Sequence, residues 1–335
     1  MSFTVAVVGA TGAVGREMIR ILEERSFPVK TLIPLASPRS AGKTITFRGE
    51  EIAIRVLAAE AFTGVDVALF SAGTAPSLEW APIAAKAGAI VIDNSSAWRM
   101  HPEVPLVVPE VNVEHLKSIP RGIVANPNCS TIQMLVALKP LHDAAKLQHI
   151  VVSTYQAASG KGHDAVTELL AQAKAIVEGR TPEATVFPST LAFNTLCDWK
   201  AGEQDYSEEE WKMVHETRKM LGDPSLGVSP TAVRVPVVNG HSEAIWARFA
   251  RPMTAREAKE LLANAPGVVL HGEPYAPGKH PQPLAVTGTD GVHVGRVRDD
   301  LAVPGCINLW VVGDNLRKGA ALNAVQIAEV LFVKK

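Results

Sequence analysis

Aromatic residues make up only 5% of this 335-residue chain, and cysteine occurs three times, at Cys129, Cys197 and Cys306. The cysteine count is odd, the spacings are wide and no Cys-x-x-Cys occurs. A disulfide framework and a zinc site are therefore not expected, no metal is assigned, and a reducing compartment fits better. Charge of one sign is also missing. Lys and Arg total 33 against 34 Asp and Glu, giving a net charge of −1. No basic block marks a nucleic-acid surface, and no acidic tail suggests a solvating arm. No apolar run approaches the roughly 18–20 residues of a membrane span. The chain opens directly into Phe3-Thr4-Val5-Ala6-Val7-Val8, a strand-like run that leaves no room for a targeting peptide. A cytoplasmic protein without membrane or nucleic-acid partners is the expectation. What is present is ordinary for a globular chain, 47% hydrophobic and 20% charged, and the length suits one or two domains.

The first third alternates short β-rich runs with helical segments. Strands are expected at Val5–Val8, Lys30–Leu35, Val65–Phe70 and Ala89–Ile92, with helices near Val14–Arg25 and Pro76–Ala87. Strands separated by helices imply βαβ units and a mostly parallel sheet. After about residue 126 the pattern changes. Helices are expected near Ser130–Ala145, Asp164–Glu178 and Glu208–Leu221. Strands are expected at His149–Gln156, Val233–Val238, Glu243–Ala250 and Ile307–Val312. The fold class is thus α/β: a Rossmann-type dinucleotide-binding domain over 1–126, completed by 314–335, and an α+β domain over 127–313. The last helix, about Leu316–Phe332, carries an amphipathic run that can pack back on the first domain.

Between the first strand and first helix stands Gly9-Ala10-Thr11-Gly12-Ala13-Val14-Gly15. Glycine there tightens the turn and lets backbone N–H groups approach a pyrophosphate, while the helix N-terminus adds favourable partial charge. The spacing is Gly-x-x-Gly-x-x-Gly, and the bland alternative is a tight turn with no ligand. The end of the second strand discriminates further. An NAD enzyme usually places Asp or Glu there for the ribose hydroxyls. This chain has Ser37-Pro38-Arg39-Ser40-Ala41-Gly42-Lys43, without a carboxylate. Arg39, with Ser37 and Ser40, suits a 2′-phosphate, because the guanidinium fork donates two hydrogen bonds at once. NADP is expected over NAD; a polar surface loop is the alternative.

Asn126-Pro127-Asn128-Cys129-Ser130-Thr131 precedes a helical segment. Asn128 is expected at the N-cap and Cys129 in the first turn. That position favours a thiolate, which is the nucleophilic form; a buried inert thiol is the alternative. Cys197 and Cys306 lack such a setting. Among ten histidines, His241 is the best candidate base, in Asn239-Gly240-His241-Ser242-Glu243 between two expected strands. Arg234 precedes it on one of them, and Arg99 follows the end of the strand near Ile92; either is a carboxylate or phosphate clamp, or a surface charge. Gln156 ends a strand before a Gly-containing turn. Ser207 and Glu210 fit a capping box, and Glu209 and Lys212 share one face of the helix that it starts, which by itself signals only a solvated helix start.

Taken together, these motifs resemble aspartate-β-semialdehyde dehydrogenase along essentially the whole chain. The resemblance is carried by Gly9–Gly15, Ser37–Lys43, Asp93–Met100, Asn126–Gln133, Thr154–Gly162, Glu209–Lys212, Arg234–Glu243 and Gly313–Glu329, in that order. It implies reversible, NADPH-dependent conversion of aspartyl-4-phosphate to aspartate-4-semialdehyde, in the biosynthesis of lysine and diaminopimelate, threonine, methionine and isoleucine. In that reading Cys129 carries the acyl group as a thioester and His241 is the acid/base. Gln156 orients the substrate, and Asn128 supports the tetrahedral oxyanion. Arg234 binds the α-carboxylate, Glu209 holds the α-amino group, and Arg99 and Lys212 form the phosphate site. Cofactor contacts fall on Gly9, Thr11, Gly12, Ala13, Val14, Ser37, Arg39, Ser40, Ser71, Ala72, Gly73, Ser159, Gly160 and Asn315. The resemblance also implies a homodimer or homotetramer built through the second domain. Lys161 stands where many relatives carry a small residue, and is expected to add positive charge on the cofactor side. Two rivals remain open at this stage: N-acetylglutamyl-phosphate reductase, which shares the chemistry, and a non-catalytic NADP sensor, which shares only the fold.

Overall fold

The structure is a computed structural model that describes residues 1–333 apart from 41, 198, 272, 273 and 275. It divides into two compact units, one of residues 1–128 with 320–335 and one of residues 129–319. Among the described residues, no helix is long and apolar enough to cross a membrane.

The first unit is built on β1 (Phe3–Val8), α1 (Ala13–Glu24), β2 (Val29–Ala36), β3 (Thr44–Phe47), β4 (Glu50–Ala53), β5 (Arg55–Val56), β6 (Val67–Phe70), α2 (Thr74–Lys86), β7 (Ile90–Asp93), α3 (Pro109–Asn112) and β8 (Ile123–Ala125). Six strands form one sheet in the order β5-β2-β1-β6-β7-β8, every neighbouring pair parallel. Parallel strands are covered on both faces, so they read as unbroken apolar runs. Val5–Val8 and Val67–Phe70 are accordingly all at 0% exposure. The chain runs from β1 to β2 on one side and later to β6 on the other. The turn after β1 therefore lies at the switch point, where such sheets bind ligands.

The C-terminal helix, Leu322–Phe332, belongs to this unit. Its Leu322, Val325 and Ile327 pack with Met18, Leu22 and Phe27; burying each such side chain contributes about 1.5–3 kcal/mol. Glu329 pairs with Arg25 at 2.7 Å, and Asn323 Nδ2 donates to Val107 O at 3.0 Å. The return of the last helix agrees with the sequence, but its start does not. Residues Arg317–Ala321 form a π-helical turn, and the α-helix begins only at Leu322.

The second unit contains α4 (Cys129–Ala145), β9 (Leu147–Gln156), α5 (His163–Val177), α6 (Glu208–Leu221), β10 (Gly227–Arg234), β11 (His241–Phe249), α7 (Ala255–Ala263), β12 (Val268–Leu270), α8 (Pro283–Val286), β13 (Val292–Asp299) and β14 (Ile307–Gly313). Its six-stranded mixed sheet runs β10-β9-β11-β14-β13-β12. Residues Ser130–Leu138 of α4 are all buried, the mark of a helix covered on every side. In β9 burial alternates, with Ile150, Val152, Thr154 and Gln156 inward and Val151 and Tyr155 outward, the period of a one-sided strand.

One expected strand is displaced. Val233–Val238 reads as a strand from its β-branched content, but β10 ends at Arg234. Pro236 has no N–H to give to a ladder. The carbonyls of Val237 and Val238 instead accept from Ala158 N (2.8 Å) and Ser159 N (3.1 Å). The segment thereby fastens the turn that follows Gln156.

Candidate active site

In the first unit, the glycine turn is sterically specified. Gly9 has φ +83°, and a Cβ there would stand 2.4 Å from Ser71 O; at Gly15 it would stand 2.2 Å from Gly9 O. Glycine at both positions is required for this close approach, which brings Ser71-Ala72-Gly73 against the turn. No side chain caps α1 at Gly12, so Ala13 and Val14 open the helix with first-turn N–H groups suited to an anion. The Ser40 hydroxyl comes to 3.5 Å from Thr11 Oγ1, joining the loop after β2 to the glycine turn. Ser37 and Arg39 are exposed beside it; Ala41 of the same loop lies outside the described residues. The turn, the loop and the Ser71–Gly73 segment thus form one cradle that fits a dinucleotide. Arg99 is no surface charge. It is buried, donating from Nε to Asn126 O and from Nη2 to Asn94 O, each at 3.0 Å.

In the second unit, Cys129 opens the 17-residue α4 and is partly exposed, whereas residues 123–128 and 130–138 around it are buried. A Cβ on Gly319 would sit 2.9 Å from Cys129 Cβ and 3.6 Å from Asn315 Cβ. The π-helical turn therefore packs directly on the cysteine, and such turns recur at functional sites. One turn along α4, Gln133 Nε2 reaches His241 O at 3.4 Å, which ties the start of α4 to the start of β11.

The peptide of Ala157 is bracketed by two sequence candidates. Its N–H donates to His241 Nδ1 at 3.1 Å, and its carbonyl accepts from Arg234 Nη1 at 2.8 Å. His241 is fully buried, and its Nε2 meets no hydrogen-bond partner. Burial foremost, then the nearby Arg234 guanidinium, pushes its pKa down to about 3 against the opposing pull of Glu209. Gly160 keeps space open here, since a Cβ would lie 3.0 Å from Arg234 Nη1 and 3.1 Å from His241 Nε2. Gln156 Nε2 donates to Glu209 Oε1 at 3.2 Å, and Glu209 Oε2 accepts from Lys212 Nζ at 3.0 Å. The capping box is present: Ser207 receives Glu210 N, and the Glu210 side chain receives Ser207 N. Glu209 itself is buried rather than solvated. Asn315 Nδ2 donates to Ser159 Oγ at 2.9 Å and its Oδ1 accepts from Gly240 N at 2.9 Å.

The second unit thus gathers Gln156, Ser159, Gly160, Glu209, Lys212, Arg234, His241 and Asn315 into one bonded group, with Cys129 joined to it through Gln133 and Gly319. Matches to known proteins are consistent with this division. A family model described as semialdehyde dehydrogenase, NAD binding domain, matches residues 4–119. A second, semialdehyde dehydrogenase, dimerisation domain, matches residues 138–318. An aspartate-semialdehyde dehydrogenase of Aquifex aeolicus (strain VF5) is 52% identical over 335 residues, covering 99% of this chain and 98% of its own. The chain belongs to the aspartate-semialdehyde dehydrogenases. Solved members of the family share its fold. Aspartate semialdehyde dehydrogenase II from Vibrio cholerae, complexed with ASA, has a TM-score of 0.94 at 47% identity, with 99% of this chain and 98% of that chain covered. The Candida albicans enzyme with NADP has a TM-score of 0.77 at 26% identity, covering 100% and 99%.

Within this family site, the sequence does not single out Gln133, the Ala157 peptide or Gly319. Gln133 follows Cys129 by one helical turn, a usable signal; the role of the Ala157 backbone carries none. Lys161 follows Gly160 directly and makes contacts of its own. Its Nζ donates to Val186 O at 2.5 Å and lies 5.2 Å from the Phe187 ring centroid.

Proposed function

We propose that this aspartate-semialdehyde dehydrogenase works through a thioester on Cys129, and that the observation carrying this reading is the cysteine at the mouth of α4, a helix tied through Gln133 to the strand of a histidine whose Nε2 is unengaged. The N-terminal position on α4 favours the thiolate. The thiolate adds to the substrate's carbonyl carbon, and the acyl group stays on sulfur until phosphate takes it or, in reverse, until it leaves as aldehyde. When bound, the nicotinamide cofactor exchanges a hydride with that carbonyl carbon. His241, holding its proton on Nε2, donates to the oxygen on which charge develops, with Asn128 supporting that oxyanion and Gln156, held by Glu209, orienting the substrate. Arg234 takes the α-carboxylate and Glu209 the α-amino group. Lys212 and Arg99 supply charge for phosphate. The N-acetylglutamyl rival fits less well, because a buried Glu209 carboxylate suits a free ammonium and not an acylated amine.

For the cofactor, residues of the glycine cradle, Ser37, Arg39 and Ser40 favour NADP over NAD, because the loop offers a guanidinium and hydroxyls and no carboxylate among its described residues. Ser159, Gly160 and Asn315 are assigned to the nicotinamide end. We assign residues 1–126 with 314–335 to cofactor binding, and 127–313 to catalysis and dimerisation. A homodimer is favoured over a tetramer, and the outward face of the second sheet, where Val151 and Tyr155 are 40% and 37% exposed, supplies an apolar surface for it. We place the protein in the cytoplasm, where three widely spaced cysteines outside any Cys-x-x-Cys fit a reducing compartment. The deciding experiment is NADP reduction with aspartate semialdehyde with and without phosphate. Phosphate-dependent reduction is expected, and its absence rejects the assignment.

A further inference from the structure

Arg234 is held more tightly than its hydrogen bond to Ala157 requires. Its guanidinium lies over the Trp199 ring, with Cζ 4.6 Å from the ring centroid. Trp199 itself is half-buried, and Leu196 and Lys200 on either side of it are each anchored. Leu196 and Arg234 form an isolated antiparallel bridge, with Leu196 N to Arg234 O at 3.0 Å and Arg234 N to Leu196 O at 2.7 Å. At the other end, Glu208 N donates to Lys200 O at 2.8 Å and Lys200 Nζ pairs with Glu208 Oε1 at 2.5 Å. The indole is therefore suspended between β10, which carries Arg234, and α6, which carries Glu209 and Lys212.

We propose that Trp199 is a positioning residue that holds the Arg234 guanidinium in one plane and thereby sets the enzyme's preference for aldehydes bearing an α-carboxylate. The inference rests on the carboxylate role of Arg234 given above. A long arginine side chain samples many rotamers, and a carboxylate is bound best by a fork already fixed in plane. An indole is the most favourable ring for a cation to lie over, and the interaction strengthens as water is removed. It occupies a face of the guanidinium and leaves its hydrogen-bonding directions, which lie in plane, to other groups. Gly160 leaves room for Nη1, since a Cβ there would approach it to 3.0 Å. Ring and Ala157 carbonyl together hold the fork in one orientation.

The test compares kcat/KM for aspartate semialdehyde with that for 3-aminopropanal, which keeps the aldehyde and amine and lacks the carboxylate. In Trp199→Ala the ratio should fall roughly tenfold, through KM for aspartate semialdehyde with kcat near wild type. Trp199→Phe should restore most of the ratio, and Trp199→Leu, apolar but without a π face, should resemble the alanine variant. An unchanged ratio in Trp199→Ala, or a wild-type ratio in Trp199→Leu, overturns the proposal. If Arg234→Lys collapses the ratio while Trp199→Ala leaves it intact, the reading of the site stands and this inference alone falls. If the wild-type enzyme does not discriminate between the two aldehydes, the carboxylate role of Arg234 fails and the inference with it.

Discussion

The backbone N–H of Ala157 donates to Nδ1 of His241 across 3.1 Å. A ring nitrogen that accepts from an amide carries no proton, so the proton of the neutral imidazole sits on Nε2. That nitrogen is buried without a partner, available to a substrate oxygen. Making the imidazolium requires breaking the Ala157 bond and placing a charge in a dry site beside Arg234. His241 is therefore built to donate from the neutral state.

This arrangement predicts a particular acid instability. Burial, then Arg234, hold His241 near pKa 3 instead of its ordinary 6.5. Between those values the unfolded chain binds a proton that the folded chain refuses. Stability is full above about 6.5 and is lost as pH falls toward 3, by on the order of a few kcal/mol. Chemical denaturation from pH 7 to 4 should be steeper in wild type than in His241→Gln. Parallel curves would exclude the assignment. The same variant should lose on the order of 10²–10⁴ in turnover if His241 moves the proton.

Cys129→Ala should abolish turnover while NADPH binding, followed by nucleotide fluorescence, persists. Cys129 should also label with iodoacetamide ahead of Cys197, although Cys197 is the more exposed, because reactivity follows thiolate content rather than access alone. Substrate protection of Cys129 separates a catalytic thiol from one on a non-catalytic sensor. Faster labelling of Cys197 would count against the nucleophile.

Arg39 lies exposed at the loop after β2. Arg39→Ala should raise the Kd for NADPH at least tenfold more than that for NADH, since only NADPH presents a 2′-phosphate to a guanidinium. Equal losses for the two cofactors would detach Arg39 from cofactor choice.

Much of this was readable without coordinates, for physical reasons. The glycine turn is legible because its sterics are local: Gly9 and Gly15 avoid each other's backbone and Ser71. Ser207 with Glu210 is legible because a capping box closes within one turn. Cys129 is legible from the helix pattern that follows it. The Val233–Val238 run misleads because β-branched residues report compatibility with a strand, and tertiary hydrogen bonds to Ala158 and Ser159 decide otherwise. The grip of Ala157 on both Arg234 and His241 is a backbone relation across 77 and 84 residues, and no side-chain pattern encodes it. The contacts of Lys161 with Val186 and Phe187 are likewise tertiary, and the sequence does not show them.

Glu243 gives the opposite pH signature from His241. It stands two residues along β11, so its side chain faces the same side of the strand. Its carboxyl is fully buried, and neither oxygen meets a partner in hydrogen-bond geometry. Burial pushes its pKa well above the ordinary 4.5, and the favourable Gln133 amide beside it does not compensate. The folded chain therefore keeps a proton that the unfolded chain releases. The stabilisation is complete below about 4.5 and declines as pH rises, by about 1.4 kcal/mol per unit until the folded pKa is reached. Glu243→Gln keeps the shape and removes the ionisation. Its Tm should match wild type near pH 4.5 and exceed it increasingly as the pH rises above that value. Gln133 also supports the His241 carbonyl, so ionising Glu243 should disturb the strand that carries the proposed acid/base, and any alkaline loss of activity should move upward in the same variant. A Tm gap independent of pH would mean that the Glu243 carboxyl is ionised in the folded protein after all.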